Sequence, residues 1–260
     1  MRSKLKIQYL LTVIFLFSFS IQITAQNKYD FKQFGEETGD FFTAPFHWER
    51  NDFITLGFIA AATYGLMYAD QPIKNEMAKI NSNKKHWLME FGRYWGEAIP
   101  TVAISGLLLI HGYAFNNNTT KKIGFEVGQS FLYSVTVTSG LKIIIGRARP
   151  YTGSDSFTFD AFAFKNTNWS LPSGHTTVAF SLSTVLAANT DSYVWKTAAF
   201  IPAVLTAFSR VYQNYHWTSD VFLGAVVGYF VGKFVTDLHA EKELTPQMSQ
   251  VPLLSLSLSF

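Results

Sequence analysis

Three short stretches carry residues that could do chemistry. In "KIIIGRARP", Lys142 and Arg149 are seven residues apart. That is two helical turns, so both point from one face. In "PSGH", Ser173, Gly174 and His175 follow Pro172. In "SRVYQNYHWTSD", Arg210 follows Ser209, and His216 and Asp220 are spaced i, i+4. The cations Lys142, Arg149 and Arg210 suit the oxygens of a tetrahedral dianion. The free amides and dipole of a helix starting at Ser173 favour the same charge. A phosphoryl group is the natural ligand. His216 has a carboxylate, Asp220, in reach of its ring, which makes it the nucleophile of a phosphohistidine pathway. His175, beside the helix start, is the general acid. No carboxylate cluster is available for Mg²⁺, so the protein's cations must neutralise the charge.

Each stretch has a plainer reading on its own. A Lys–Arg pair at helical spacing is usually a solvated face. Lys142, however, sits in "SGLKIIIG", where an unpaired lysine is costly. Ser173 reads as a helix N-cap, which explains the serine but not the histidine. A His–Asp pair at i, i+4 can be a core pair.

The elements between these stretches bring them together. Apolar or helix-compatible runs cover 53–69, 98–115, about 122–149, 174–189, about 194–211 and about 216–238. Pro150 limits the third run, and Pro202 is expected to kink the fifth. The expected fold is all-α, a six-helix bundle. In an up-down bundle the third run ends, the fourth begins, the fifth ends and the sixth begins at one end. Those four termini carry Arg149, Ser173, Arg210 and His216.

Composition sets the surroundings. The chain is 48% hydrophobic and 15% charged, with 25 phenylalanines. That is poorer in charge than a soluble domain, so a membrane is expected. With no cysteine, disulfides and thiolate chemistry are excluded. Arg2, Lys4 and Lys6, an apolar stretch and "ITA" before Gln26 resemble an export signal or anchor over 1–25. Without those three cations the charge is balanced, so no nucleic-acid surface is expected. Residues 26–52 read as an amphipathic lead-in, 53–238 as the domain, and 239–260 as a tail whose end, "LSLSLSF", alternates like a strand. The loop 151–170 is rich in aromatics.

The three stretches resemble the type 2 phosphatidic acid phosphatase (PAP2) superfamily. Its pattern K-x6-R-P, P-S-G-H, S-R-x5-H-x3-D is complete in Lys142–Pro150, Pro172–His175 and Ser209–Asp220. The resemblance implies a PAP2-type six-helix bundle with the active site at one end. It implies that Lys142, Arg149, Ser173, Gly174, His175 and Arg210 contact phosphate. It implies that His216 is the nucleophile, Asp220 its partner and His175 the acid. It implies metal-independent hydrolysis without a cofactor, with vanadate as a phosphate mimic or inhibitor. The superfamily contains membrane lipid phosphatases, soluble periplasmic acid phosphatases and vanadate-dependent haloperoxidases, which are usually longer than this chain.

The expected substrate is a lipid phosphomonoester or diphosphate, with a small phosphoester as the alternative. The expected location is a bacterial envelope: the inner membrane with a periplasm-facing site, or the periplasm if the helices do not span. The aromatics of 151–170 are expected to line an acyl entry or meet the interface.

Overall fold

The computed structural model describes residues 27–80 and 86–249, the side chains of 242–249 excepted. The signal-like segment 1–25 and the alternating tail from Leu254 lie outside the described residues. The helices are α1 Phe31–Thr43, α2 Arg50–Ile80, α3 Trp87–Trp95, α4 Ala98–Ala114, α5 Asn118–Ile145, α6 Gly174–Ala188, α7 Tyr193–Ala198, α8 Ile201–Tyr212 and α9 Thr218–Ser249. No strand occurs among the described residues.

The six expected runs are largely helical, and all but the fourth differ in extent. The third ends at Ile145, because Gly146 turns the chain, so Arg149 lies beyond the helix and not on one face with Lys142. The sixth continues past residue 238 to Ser249. The first continues through the charged residues after Ala69 and past Pro72 to Ile80. Loss of apolar character ends a buried face but not a backbone helix. The second is preceded by α3 and bends by 56° at Gly96–Glu97. The fifth breaks into α7 and α8 at Ala199–Phe200. Pro202 starts α8 rather than kinking it, because proline's missing amide is not needed in a first turn.

The chain forms two units. Residues 29–239 form one unit, which holds the bundle and the site; residues 240–249, the last turns of α9, belong to the other. Within the bundle, α4 packs along α5, α5 against α6, and both α3 and α6 against α8. Val127, Leu182 and Val185 fill the α5–α6 contact, with Trp95 and Ile104 against them. Gly224, Gly228 and Gly232 form a stripe on α9 that meets α6. A Cβ at these positions would lie 2.7 Å from Ser173 O, 2.3 Å from Thr177 O and 2.8 Å from Thr184 Cβ. The stripe lets the two backbones approach, which sets the start of α6 beside the start of α9.

The lead-in helix α1 is clamped by a buried polar cluster away from the catalytic stretches. Asp30 caps it by accepting from the Gln33 amide at 2.9 Å. Glu37 accepts from Gln33 Nε2 at 2.8 Å and from Gln129 Nε2 on α5 at 2.9 Å. His239 on α9 bridges Glu37 at 3.0 Å and Glu126 at 3.1 Å. Phe34 and Phe41 of α1 pack on Tyr133, Val231 and Val235.

Two helices, Arg50–Ile80 and Thr218–Glu241, are long and apolar enough to cross a membrane, and α3–α4 would be a third if the bent pair is one span. Only 11% of the apolar window of α2 is buried within the protein. Phe53, Phe58, Ile99, Leu107 and Ile110 are also exposed. An apolar surface of this kind needs lipid rather than water. The protein is an integral membrane protein.

Candidate active site

The first catalytic stretch leaves α5 through Gly146 in a left-handed turn, φ +63°. A Cβ there would lie 1.6 Å from Asp160 O, so only glycine permits the turn. Loop 150–170 folds back over it. Phe162 N donates to Ile143 O at 2.7 Å, Arg149 N to Thr167 O at 2.9 Å, and Ser170 N to Arg147 O at 3.0 Å. Lys142 Nζ, at the end of α5, donates to Trp169 O at 2.6 Å. Arg149 spans outward, with Nε to Asn166 O at 2.9 Å and Nη2 to Asn166 Oδ1 at 2.8 Å.

The second stretch starts α6. Ser173 occupies the N-cap position, but its side chain bonds no first-turn amide. Its Oγ instead accepts from Thr176 Oγ1 at 3.0 Å. The expected side-chain cap is therefore not made, and the hydroxyl takes no amide from an incoming anion. Ser173 N donates to Asp220 O at 2.9 Å, which ties the second stretch to the third. Gly174 abuts Lys142, whose Cε would lie 3.8 Å from an added Cβ.

The third stretch joins α8 to α9. The amides of Tyr215 and His216 donate to Arg210 O at 3.1 and 3.3 Å, which makes the connection tight. Arg210 is 3% exposed. Its Nη1 donates to Gln213 Oε1 at 3.0 Å, while its Nε has no hydrogen-bond partner among the described residues. A buried donor without a partner is costly, and an oxyanion would satisfy it.

His216 is 3% exposed, and its Nε2 is 3.5 Å from Arg149 Nη1. A guanidinium only donates, so Nε2 carries the lone pair and the proton is assigned to Nδ1. Nδ1 faces Asp220 Oδ2 at 3.5 Å but forms no hydrogen bond. The expected ring–carboxylate hydrogen bond is thus not made; the two groups only face each other. The oxygens of Asp220 are engaged by Arg147 Nη1 at 2.7 Å, Trp217 N at 2.8 Å and Ser170 Oγ at 2.5 Å. Burial, then the charges of Lys142, Arg149, Arg210 and His175, hold the His216 pKa well below its usual 6.5. Burial likewise lowers that of Arg149. The ring is therefore a neutral imidazole with an unprotonated Nε2 facing Arg149.

A cavity of about 410 Å³ opens from the site. Lys142, Gly174 and His175 form its polar end. Ala98, Phe131, Val135 and Val178 form its apolar walls, with Glu97, Thr138 and Ser139 also lining it. Gly96 at the α3–α4 break makes this close approach possible, since a Cβ would lie 2.6 Å from His175 O and from Thr206 Cγ2.

All the expected site residues therefore gather at one end of the bundle. Sequence reasoning missed Arg147, Asp70, Ser170 and Gly96. Arg147 is fully buried and bonds both Asp70 and Asp220. Its signal was its place inside K-x6-R-P; that of Asp70 was a carboxylate directly ending an uncharged apolar run. Among the described residues, no group of three or more His, Asp or Glu could hold a metal ion.

Residues 124–243 match the family model described as PAP2 superfamily. The chain is similar to the undecaprenyl-diphosphatase of Sulfolobus acidocaldarius, 26% identical over 68% of this chain and 77% of that protein. It is similar to the lipid A 1-phosphatase of Porphyromonas gingivalis, 40% identical over 26% of this chain and 17% of that protein. In fold it resembles the transmembrane PAP2-type phosphatidylglycerolphosphate phosphatase of Bacillus subtilis, with TM-score 0.56 and 22% identity over 73% of this chain and 94% of that one. Residues 124–243 thus carry the PAP2-superfamily pattern, the chain is similar to PAP2-type phosphatases, and the protein is a phosphoric ester hydrolase.

Proposed function

We propose that the protein removes phosphate from a membrane lipid phosphomonoester or diphosphate through a phosphohistidine at His216. One observation carries the lipid assignment: the cavity runs from Lys142 and His175 to apolar walls at Phe131 and Val135 in a membrane protein. A soluble phosphoester needs the polar end alone. The similarity to an undecaprenyl-diphosphatase and a lipid A 1-phosphatase supports the same class. Phosphatidic acid, phosphatidylglycerol phosphate, undecaprenyl diphosphate and lipid A are the candidates. The proposed location is a bacterial inner membrane with a periplasm-facing site, an orientation that a spanning bundle reaches if segment 1–25 is retained as an anchor rather than cleaved.

In this reading Lys142, Arg149, Arg210, Ser173 and the amides of Gly174 and His175 hold the phosphoryl oxygens. Nε2 of His216 attacks phosphorus as the ester P–O bond breaks. Burial, then the charges of Arg210, Arg93, Arg149 and Lys142, push the His175 pKa down to about 3. His175 therefore takes up its proton together with the phosphate dianion that offsets those cations, and then protonates the leaving oxygen. The phosphorylated ring keeps its Nδ1 proton and carries positive charge, which the Asp220 carboxylate offsets. Water then attacks phosphorus, with His175 taking its proton, and the P–N bond breaks. No step requires a metal or cofactor.

The test is phosphate release by the purified protein with EDTA present, over the four lipid classes and soluble phosphomonoesters. The expected result is turnover in EDTA with a much higher kcat/KM on one lipid class. Equal kcat/KM on p-nitrophenyl phosphate would instead favour a broad-specificity acid phosphatase.

A further inference from the structure

Asp70 lies on α2, before the segment that matches the family model, yet it reaches into the catalytic end. Its Oδ2 accepts from Arg147 Nη2 at 2.7 Å and from Ser219 Oγ at 2.5 Å, and its Oδ1 from Ser219 N at 2.9 Å. Every one of these partners donates, as an ionised carboxylate requires. One turn on, Lys74 Nζ donates to Pro150 O at 2.8 Å and lies 4.9 Å from the Trp217 ring. Asp70 and Lys74 therefore join α2 to the first and third catalytic stretches from one helix face.

The charges explain why Asp70 is needed. Arg147 and Asp220 are both fully buried and 2.7 Å apart. Alone they would be a neutral pair, and Arg147 would cancel the carboxylate that His216 requires. Asp70 supplies a second buried carboxylate on the same guanidinium, 2.7 Å away. The cluster then has one net negative charge. That matches the positive charge the His216 ring gains when it bonds phosphorus.

We propose that Asp70 is a positioning residue that neutralises Arg147, so that Asp220 keeps its charge for His216. This rests on His216 being the nucleophile. The effect belongs to the phosphorylated ring and the transition state leading to it, not to phosphate binding.

The test uses the full-length enzyme. Asp70→Asn, nearly isosteric, should lower kcat about tenfold to a hundredfold. It should leave KM and inhibition by inorganic phosphate near wild type. Vanadate inhibition, if it mimics the transition state, should weaken by a similar factor. Adding Arg147→Gln removes the charge that Asp70 offsets and should restore part of kcat. Should Asp70→Asn alone fail to fold, the double variant is compared with Arg147→Gln, on which Asp70→Asn should cost nothing. Wild-type kcat in Asp70→Asn, or a further tenfold loss on the Arg147→Gln background, would overturn the proposal. His216→Ala separates the two readings: if it keeps wild-type turnover, the nucleophile assignment itself fails.

Discussion

The carboxylate of Asp220 stands 3.5 Å from His216 Nδ1 and makes its hydrogen bonds to Arg147, Ser170 and the Trp217 amide. It is fixed before any substrate arrives, while the ring is neutral. The attraction to His216 grows only when the ring becomes charged. Such preorganisation stabilises the transition state more than the ground state. His216→Ala should therefore lower kcat by about a thousandfold or more, and Asp220→Asn by roughly a hundredfold or more. Both should keep phosphate inhibition close to wild type. Initial rates with phosphate as a competitive inhibitor check both.

Arg147 makes a different prediction, about stability. It ties α2, the turn after α5 and the start of α9 through Asp70, Ser156 O and Asp220. Arg147→Ala would leave two buried carboxylates without their counter-charge. Breaking a buried pair from one side costs about 3–5 kcal/mol. A thermal melt in detergent should show a large drop, bigger than for any substitution of exposed Phe162.

The contrast between Arg147 and Arg149 marks what the sequence could reveal. Arg149 belongs to a spacing that reads as two cations on one helical face, followed by a proline; in the structure α5 ends at Ile145, and Arg149 lies in the loop beyond it, held by Thr167 O and Asn166. The up-down alternation of apolar runs then brought its helix end to Ser173, Arg210 and His216. Arg147 sits two residues earlier and has no such period. Its role depends on Gly146 turning the chain inward and on Asp70 arriving from a helix about 75 positions away. Long-range partners of this kind leave only a faint local trace, here an arginine inside K-x6-R-P and a carboxylate ending an apolar run, and nothing that pairs the two. Gly96 was invisible for the same reason, since its constraint is His175 O on another helix. Breaks at Gly96 and Ala199 escaped because a hydrophobic run does not report a bend.

The depressed pKa of His216 predicts an acid limit on stability. In the unfolded chain the ring binds a proton below about pH 6.5. In the folded protein, burial and the neighbouring cations delay this to lower pH. The unfolded state then binds more protons, so stability falls as pH drops below 6.5, by up to about 1.4 kcal/mol per pH unit from this group. Above 6.5 the group has no effect. His216→Gln removes the ionisation, so its melting temperature should fall less steeply from pH 6.5 to 5. Parallel melts of the two proteins check this, and identical slopes would contradict it.

The cavity predicts a substitution that separates lipid from soluble substrates. Val135 lies on α5 in the apolar wall, away from Lys142 by about two helical turns, and its side chain is 39% exposed. Val135→Trp should fill the space with a bulky, largely apolar ring. The phosphate end would stay open. Hydrolysis of p-nitrophenyl phosphate should therefore change less than twofold, while kcat/KM for the preferred lipid should fall about tenfold or more. Phe162 and Phe164, exposed at 65% and 77% on the loop covering the first stretch, offer a second entry route. Replacing both with serine should slow lipid hydrolysis if chains enter past the loop and leave it unchanged if they enter past Val135. Assaying the variants against lipid vesicles and p-nitrophenyl phosphate distinguishes the routes. Equal losses on both substrates in Val135→Trp would mean that the cavity does not receive the lipid.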